Sequence, residues 1–284
     1  MLTESAPAKL NLTLNIRGRR ADGYHELSSL VAFASCGDSL SVTPADAFSL
    51  SVSGPFSGSL EGDNLVARVI AAATTLEPRL RTGTFHLEKR LPVAAGLGGG
   101  SSDAAAAIRL LRRLNPDHSA AIDWLDLARN LGADVPVCLA GRAAQMTGLG
   151  EQVAPLAAFP RLWAVLANPG VPVSTAAVFR ELAAGSVPPG DHIDAVPPFS
   201  DVSALLAHLA GSGNDLEAPA LRLCPVVADV LAALAAVPNV ALTRMSGSGA
   251  TCFGLFLSQS DAAAGCRRLA AQCPTWWVVD AELS

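Results

Sequence analysis

The chain has 284 residues, half of them hydrophobic, and its 20 basic and 25 acidic side chains give a formal net charge of −5. A chain of this length and hydrophobicity can bury a large core in one or two domains, which excludes an intrinsically disordered protein. The acidic balance, with no cluster of basic residues, argues against nucleic acid or an anionic membrane as the main partner. Two residue types are unusually rare: Lys9 and Lys89 are the only lysines, and Tyr24 is the only tyrosine.

The sequence also predicts a compartment. The first residues alternate between apolar and polar side chains instead of forming an apolar block, so we expect no signal peptide. The longest uncharged run, residues 162–179, is interrupted by Pro169, Gly170 and Pro172, which favours a strand and a loop over a membrane span. The six cysteines show no CxxC spacing, so we expect reduced thiols in a cytoplasmic protein, with neither a disulfide framework nor a zinc site.

The first part of the chain is predicted to be rich in strands. Residues 8–16 alternate strictly between apolar and polar side chains, which is typical of a half-buried strand. Its polar face would carry Lys9, Asn11, Thr13 and Asn15. A helix is expected over residues 65–76, after the start signal Asp63-Asn64. The other strands expected here cover residues 27–33, 38–43 and 84–91.

The most informative local feature is a glycine-rich loop at residues 92–100. Glycines let the backbone approach a phosphate closely, and the helix expected over residues 104–114 would add the positive end of its dipole. The preceding segment, Ser101-Ser102-Asp103, is expected to provide the N-cap of that helix. The loop matches neither GxxxxGK[ST] nor the usual GxGxxG arrangement. It is therefore either a phosphate-binding loop of another kind or a flexible turn before a well-capped helix.

Helices and strands alternate in the remainder of the chain. We expect a helix over residues 123–131 and a Pro- and Gly-rich surface loop over residues 185–200. The elements expected after that loop are two or three helices between 202 and 236, a strand at 240–245, a glycine-serine loop at 246–249, a strand at 251–257, a helix from Asp261 and a strand at 276–279. Strands with helices on one side favour the α+β class over a doubly wound sheet. We place a domain boundary near residue 155, which divides the chain into residues 1–155 and 156–284.

Four candidate functional features each have an ordinary structural interpretation as well. Lys9 is either a catalytic cation or a solvated strand lysine. Asp134 is either a catalytic carboxylate or the N-cap of a helix with an early proline. Residues 22–26, DGYHE, form either a simple turn or a platform on which Tyr24 stacks a base while His25 supplies hydrogen bonds. The glycine-serine loop is either a hairpin turn or a place where the backbone approaches a ligand.

Taken in chain order, six motifs identify a family. They are APAKLNL at residues 6–12, RRADGYHEL at 19–27, LPVAAGLGGGSSDAA at 91–105, GADVP at 132–136, GNDLE at 213–217 and MSGSGATCF at 245–253. In this combination the chain resembles the GHMP kinase superfamily over nearly its whole length. The GLGGGSSDAA and MSGSGAT stretches mark the superfamily. The DGYHEL and GNDLE stretches mark one kinase in it, whose substrate carries a cytidine diphosphate group.

This resemblance implies a two-domain α+β fold, with a ribosomal-protein-S5-like N-terminal domain, a ferredoxin-like C-terminal domain, and ATP and substrate in the cleft between them. It implies ATP as the phosphoryl donor, with Mg²⁺ carried by ATP. The acceptor would be the hydroxyl group of a small cytidyl diphosphate substrate, and the protein would be a monomer or a weak homodimer. Two alternatives stay open: another small-molecule kinase of the homoserine or mevalonate type, and a non-catalytic ligand-binding relative.

The resemblance also assigns roles to individual residues. Asp134 would accept the proton of the substrate hydroxyl, and Lys9 would keep that carboxylate ionised and offset charge in the transition state. The substrate would be bound by Asn11, Tyr24, His25 and Phe179, with cytosine held between the rings of Tyr24 and Phe179. The ATP phosphates would be bound by Pro92, Val93, Ala94, Ala95, Gly96, Leu97, Gly98, Gly99, Gly100, Ser101 and Ser102.

Overall fold

The computed structural model describes residues 1–59, 64–183 and 195–284. Over these residues the strands are β1 (Leu2–Asn11), β2 (Asn15–Arg19), β3 (His25–Pro44), β4 (Ser49–Ser53), β5 (Gly83–Glu88), β6 (Ala144–Gly148), β7 (Gln152–Pro155), β8 (Leu162–Asn168), β9 (Leu242–Met245), β10 (Cys252–Phe256) and β11 (Trp277–Leu283). The helices are α1 (Leu65–Leu76), α2 (Gly99–Leu114), α3 (Trp124–Leu131), α4 (Val135–Ala140), α5 (Thr175–Ala183), α6 (Val202–Ala210), α7 (Glu217–Leu223), α8 (Val226–Ala235) and α9 (Gln259–Gln272). The predicted α+β class is confirmed.

The chain folds into two compact units that interleave along the sequence. The first unit comprises Met1–Ala8, Gly37–Val93 and Gly98–Gly141, and the second comprises Lys9–Cys36, Ala94–Leu97 and Arg142–Ser284. Strands β1 and β3 therefore contribute residues to both units. The boundary near residue 155 divides the chain into consecutive halves instead, and it stays a prediction.

The first unit packs helices α1 to α4 around an apolar core with a small sheet. In that sheet β5 pairs antiparallel with residues 39–44 of β3 and parallel with β4. Helix α1 begins where it does because the side chain of Asn64 accepts the backbone N–H of Val66 at 2.8 Å. The predicted helix over residues 65–76 is confirmed, and Asp63, the other part of its start signal, lies outside the described residues.

The second unit is built on the antiparallel strand order β9-β10-β8-β11. Its core contains apolar side chains from these strands and from α7, α8 and α9, such as Val165, Val230, Phe256 and Leu269. The expected group of two or three helices between residues 202 and 236 is confirmed as α6, α7 and α8. This core supports the strand ends and loops that carry the second unit's candidate residues.

The strand predicted over residues 8–16 is wrong in its bounds and in its exposure. Between β1 and β2 the N–H groups of Leu12 and Thr13 both donate to the carbonyl oxygen of Leu30, at 2.8 and 3.2 Å. Two consecutive donors on one acceptor form a local irregularity of the β-bulge type, which interrupts the alternation. All four residues of the predicted polar face are buried or half-buried. The alternation therefore marks polar groups placed in the interior rather than a solvated face.

Other differences from the predicted elements have local causes. The strands expected at 27–33 and 38–43 are one 20-residue strand, β3, because the backbone stays extended through Gly37. A side chain at Gly37 would lie 2.4 Å from the carbonyl oxygen of Ala6, so only glycine lets the two strands approach here. Strands β4, β6 and β7 were not predicted, since they are short and carry few large apolar residues.

The segment at residues 162–179 differs from the expectation at its end. It forms β8 as expected and then enters α5, so Phe179 lies on a helix rather than in a loop. The side chain of Ser174 accepts the N–H of Ala177 at 3.3 Å, which starts the helix soon after the prolines. Most of the surface loop expected at residues 185–200 falls in 184–194, outside the described residues.

Three further observations concern the described part of the chain. No helix there is long and apolar enough to cross a membrane. All six cysteines are free thiols. No group of three His, Cys, Asp or Glu side chains within the described ranges is arranged to hold a metal ion.

Candidate active site

The glycine-rich loop has a backbone that alternates into the left-handed region. Ala94, Gly96 and Gly98 have φ values of +52°, +74° and +62°. Alternation of this kind turns successive N–H groups toward one side, which is the geometry of an anion-binding concavity. Gly98 is also the N-cap of α2, and it provides no side-chain capping bond. The first N–H groups of α2 therefore receive no capping bond from the N-cap residue, and as the first donors of a helix they have no intrahelical acceptor.

The predicted N-cap at residues 101–103 is wrong, because the left-handed Gly98 lets α2 begin at Gly99. Ser102 and Asp103 instead lie inside the first turns and are buried. The hydroxyl of Ser102 donates to the carbonyl oxygen of Pro7 at 2.7 Å and ties α2 to β1 within the first unit.

A buried ion cluster lies next to the start of α2 in the first unit. The ammonium group of Lys89 donates to the carboxylate of Asp38 and, at 2.7 Å, to that of Asp103. Asp38 also accepts the backbone N–H groups of Arg90 at 2.6 Å and Leu91 at 2.9 Å. The cluster therefore joins the chain that enters the glycine-rich loop to the helix that leaves it.

The cluster contains two carboxylates for one ammonium. Burial raises the pKa of Asp103 to about 7, with repulsion from Asp38 in the same direction and attraction to Lys89 opposing both. One oxygen of Asp103, Oδ1, is buried with no hydrogen-bond partner among the described residues. Asp103 is thus held in a setting that disfavours its charge.

In the second unit, residues 95–97 of the loop are hydrogen-bonded to two other segments. The carbonyl oxygen of Leu97 accepts the N–H of Lys9 at 2.8 Å, and that of Ala95 accepts the N–H of Thr251 at 3.2 Å. The hydroxyl of Ser246 donates to the carbonyl oxygen of Gly96 at 2.9 Å. These bonds bring the loop, the β1 strand and the glycine-serine loop together.

Lys9 and Asn11 lie at the end of β1 and are both buried, 4% and 3% exposed. The interpretation of Lys9 as a solvated strand lysine is therefore wrong. The N–H of Asn11 donates to the hydroxyl of Ser246 at 3.1 Å, and its side-chain amide donates to Ser29 at 2.8 Å. The Oδ1 atom of Asn11 is buried without a hydrogen-bond partner among the described residues, so it retains an unused acceptor position.

Asp134 is the N-cap residue of α4 in the first unit. Its side chain makes no capping hydrogen bond, and Pro136 occupies the first turn, where the missing N–H costs nothing. Asp134 is therefore the N-cap residue by position, but its side chain does not cap the helix.

The DGYH segment forms the turn between β2 and β3. Its backbone is fixed by Asp22, whose side chain accepts the N–H of Tyr24 at 3.1 Å, and by the N–H of Arg20, which donates to the carbonyl oxygen of Tyr24 at 2.7 Å. Tyr24 is 63% exposed. The turn thus presents an aromatic ring that the protein core does not use.

His25 and Phe179 meet in the second unit, with ring centroids 5.3 Å apart and an angle of 29° between the rings. Partial burial, and secondarily the positive charge of Arg19, lower the pKa of His25, which favours the neutral imidazole at pH 7. The Nε2 atom of His25 is buried with no partner among the described residues. Phe179 stacks on His25, and its role opposite Tyr24 stays a prediction.

Sequence reasoning missed the polar residues that hold this arrangement in place. The glycine-serine loop is predicted as a hairpin turn or a ligand-approaching backbone, with no role for the side chain of Ser246, and the motif that contains Asn214 has no assigned role. Asp38 carries no local signal, and Asp103 is predicted only as part of an N-cap, although the rarity of lysine points to their partner Lys89. Only the three-dimensional contacts show what these side chains do.

Comparison with known proteins identifies the class. The family model of the GHMP kinases N terminal domain matches residues 64–142, and that of the GHMP kinases C terminal matches residues 199–275. A crystal structure of homoserine kinase from Cytophaga hutchinsonii shares the fold, with a TM-score of 0.62 at 15% identity over 99% of this chain and 93% of that one. These matches define a GHMP kinase.

More similar relatives narrow this class. A 4-diphosphocytidyl-2-C-methyl-D-erythritol kinase of Rhodopseudomonas palustris (strain BisB5) is 50% identical, with 100% of this chain and 99% of the relative covered. The protein of that name from Methylobacterium radiotolerans is 51% identical, with 98% and 97% covered. A crystal structure of 4-(cytidine 5'-diphospho)-2C-methyl-D-erythritol kinase superposes with a TM-score of 0.79 at 37% identity, covering 100% of this chain and 99% of that one. The chain belongs to the 4-diphosphocytidyl-2-C-methyl-D-erythritol kinase family of the GHMP kinases.

The ion cluster predicts a pH-dependent stability difference for Asp103→Asn. The raised pKa means that the folded protein keeps the proton of Asp103 up to about pH 7, whereas the unfolded chain loses it near pH 4, so this group weakens stability as pH rises through that window. The amide cannot ionise and leaves Lys89 paired with Asp38. We expect the variant to gain melting temperature relative to wild type at about pH 8.5, with a smaller gain near pH 5. Thermal unfolding followed by circular dichroism measures both values.

The control is Asp117→Asn, the same change at an exposed carboxylate of the first unit. Its melting temperature relative to wild type should be similar at the two pH values. A gain for Asp103→Asn that does not depend on pH would show that the buried carboxylate does not titrate in this window.

Proposed function

We propose that this chain transfers the γ-phosphoryl group of ATP to the 2-hydroxyl of 4-diphosphocytidyl-2-C-methyl-D-erythritol, a step of the non-mevalonate isoprenoid route. The observation that carries the proposal is the identity of about half of all residues with kinases of this name over the full chain. It is supported by the DGYH turn, which presents an exposed ring and a neutral imidazole. The cytoplasmic location and the monomer or weak dimer stay predictions.

Residues 92–102 are proposed to bind the phosphates of ATP. Their fit rests on the left-handed positions 94, 96 and 98 and on the uncapped start of α2, which together offer backbone donors to an anion. Side chains are excluded where the backbone must come close: a Cβ at Gly96 would lie 2.3 Å from the carbonyl oxygen of Ser246. Mg²⁺ carried by ATP would neutralise phosphate charge during transfer.

Asp134 is proposed as the general base, which takes the proton from the attacking hydroxyl. It precedes helix α4 as the N-cap residue, and its side chain makes no capping hydrogen bond there. Lys9 is proposed to offset the negative charge that develops during transfer, and the compact ammonium group suits this role. The unpartnered Oδ1 of Asn11 is proposed to orient the hydroxyl by accepting its hydrogen bond.

Recognition of the cytidyl group is assigned to Tyr24, His25 and Phe179. Tyr24 supplies a stacking face, and the neutral His25 offers Nε2 to the hydrogen-bonding edge of cytosine. Phe179 packs on the imidazole and limits its orientation. Because the imidazole is neutral, one ring nitrogen donates and the other accepts.

A substrate panel tests the proposal against its alternatives. An ADP-coupled assay with the cytidyl substrate, homoserine and mevalonate should show turnover with the cytidyl substrate at a kcat/KM at least about 100-fold higher than with either other alcohol, because only that substrate engages the DGYH turn. Preference for homoserine or mevalonate would replace the proposed substrate. No ADP with any of the three would favour a non-catalytic ligand-binding relative.

Replacing Asp134 by Asn tests the proposed base. The amide keeps the shape but cannot accept the proton, so kcat should fall by at least about 100-fold while a non-hydrolysable ATP analogue still binds. Steady-state kinetics and calorimetric titration provide the two measurements. Asp126→Asn, on the exposed face of α3, is the matched control and should keep wild-type turnover. A rate for Asp134→Asn close to wild type would remove the residue from the base role.

Tyr24→Ala tests base stacking. Because the ring is largely exposed, its removal should leave folding intact and cost about 1–3 kcal/mol of substrate binding. We expect a raised KM for the cytidyl substrate and an unchanged KM for ATP in the coupled assay. Tyr24→Phe keeps the stacking face and should stay close to wild type. An equal rise in both KM values would indicate a structural tyrosine.

A further inference from the structure

The GNDLE motif at residues 213–217 links two segments of the second unit. On one side it is bonded to the connection between β1 and β2: the N–H of Leu14 donates to the carbonyl oxygen of Gly213 at 2.9 Å, and the N–H of Asp215 donates to that of Leu14 at 2.8 Å. The side chain of Asp215 also accepts the N–H of Ile16 at 2.7 Å. One face of the motif is therefore fixed to the chain just beyond Lys9 and Asn11.

The other face of the motif holds the glycine-serine loop. The side-chain amide of Asn214 donates to the carbonyl oxygens of Met245 and Gly247, each at 2.8 Å, while its Oδ1 accepts the N–H of Leu216 at 3.0 Å. Glu217 accepts the N–H of Met245 at 3.0 Å. Asn214 is buried, and its amide uses both donors and its acceptor.

The residue between the two anchored carbonyls is Ser246. Its hydroxyl accepts the N–H of Asn11 at 3.1 Å and donates to the carbonyl oxygen of Gly96 at 2.9 Å. Asn214 thus fixes the residues on both sides of a hydroxyl that joins the proposed substrate residue Asn11 to the phosphate loop. A shift of Ser246 would move both.

We propose that Asn214 is a positioning residue for phosphoryl transfer, which sets Asn11 and Gly96 through the Met245–Gly247 backbone and the hydroxyl of Ser246. Asn214 bonds to backbone groups only, so it acts through other residues. Its side chain is needed because one nitrogen must donate to two carbonyl oxygens, which neither Asp nor Ser can do. The proposal rests on the proposed function of the phosphate loop and Asn11.

The chain contains a matched control for this proposal. Asn115 in the first unit is also buried, and its amide donates to the carbonyl oxygens of Arg81 and Leu111, each at 2.9 Å. Its Oδ1 accepts the N–H of Arg81 at 2.7 Å. Asn214→Ala and Asn115→Ala therefore each remove two bonds donated to carbonyl oxygens and one accepted from a backbone N–H. Both variants should have a lower melting temperature than wild type.

The test compares the two variants at a temperature where circular dichroism shows both to be folded. Asn214→Ala should lower kcat by at least about 10-fold, because small misplacements of reacting groups are costly, and should weaken binding of a non-hydrolysable ATP analogue by roughly fivefold. Asn115→Ala should leave both values within about twofold of wild type. Equal effects in the two variants would overturn the proposal and make Asn214 a structural residue.

A second variant covers the case in which Asn214→Ala does not fold. Ser246→Ala removes only the hydroxyl that joins Asn11 to Gly96, and we expect the same loss of kcat and of analogue binding; wild-type values would overturn the proposal. Binding of the ATP analogue does not depend on which alcohol accepts the phosphoryl group. If wild type fails to phosphorylate the cytidyl substrate, the proposed function is wrong. The difference in analogue binding between Asn214→Ala and Asn115→Ala still tests the positioning role in that case.

Discussion

The close approach of two backbone segments in the second unit governs the rest of its candidate site. A Cβ at Gly96 would lie 2.3 Å from the carbonyl oxygen of Ser246, so the two segments can approach this closely only because residue 96 is glycine. This approach brings the hydroxyl of Ser246 to the carbonyl oxygen of Gly96, and the N–H of Lys9 donates to the next carbonyl oxygen of the loop, that of Leu97. The proposed catalytic strand is therefore held by backbone bonds, which tolerate little displacement because each buried polar group would lose its partner.

In the first unit, charged side chains hold the glycine-rich loop in place. Asp38 fixes the chain that enters the loop, Asp103 lies in the first turns of α2, and Lys89 joins them. A buried cluster with an excess carboxylate is weak evidence for stability, since desolvation offsets much of the attraction. The cluster instead fixes the positions of the two ends of the glycine-rich loop, which has little conformational preference of its own. Such anchors matter for the proposed phosphate loop, because glycine increases the entropy lost when the loop becomes ordered.

The sequence predicted what depends on local signals. The helices α1 and α3 begin at residues with good capping side chains, Asn64 and Asp123, and both were predicted at or within one residue of their bounds. The start of α2 was misplaced because capping by a left-handed glycine, Gly98, competes with three apparent capping side chains. The alternation around Lys9 suggested a solvated face, since sequence periodicity cannot distinguish water from a polar interior. Asn214 acts across 31 and 33 residues of sequence, a separation at which no local pattern carries information.

The distribution of the rare residues follows from these constraints. Arginine supplies 18 of the 20 basic side chains, whereas both lysines are buried, Lys9 at 4% and Lys89 at 3% exposure. A planar guanidinium presents a fixed fork of donors, but a buried site that surrounds one point of positive charge fits a compact ammonium group with three rotatable donors. The single tyrosine, unlike the two lysines, is exposed. It lies in a turn whose backbone is fixed by hydrogen bonds within the turn. The fold gains little from that ring, and its exposure supports the proposed role of Tyr24 in stacking on the cytidyl group.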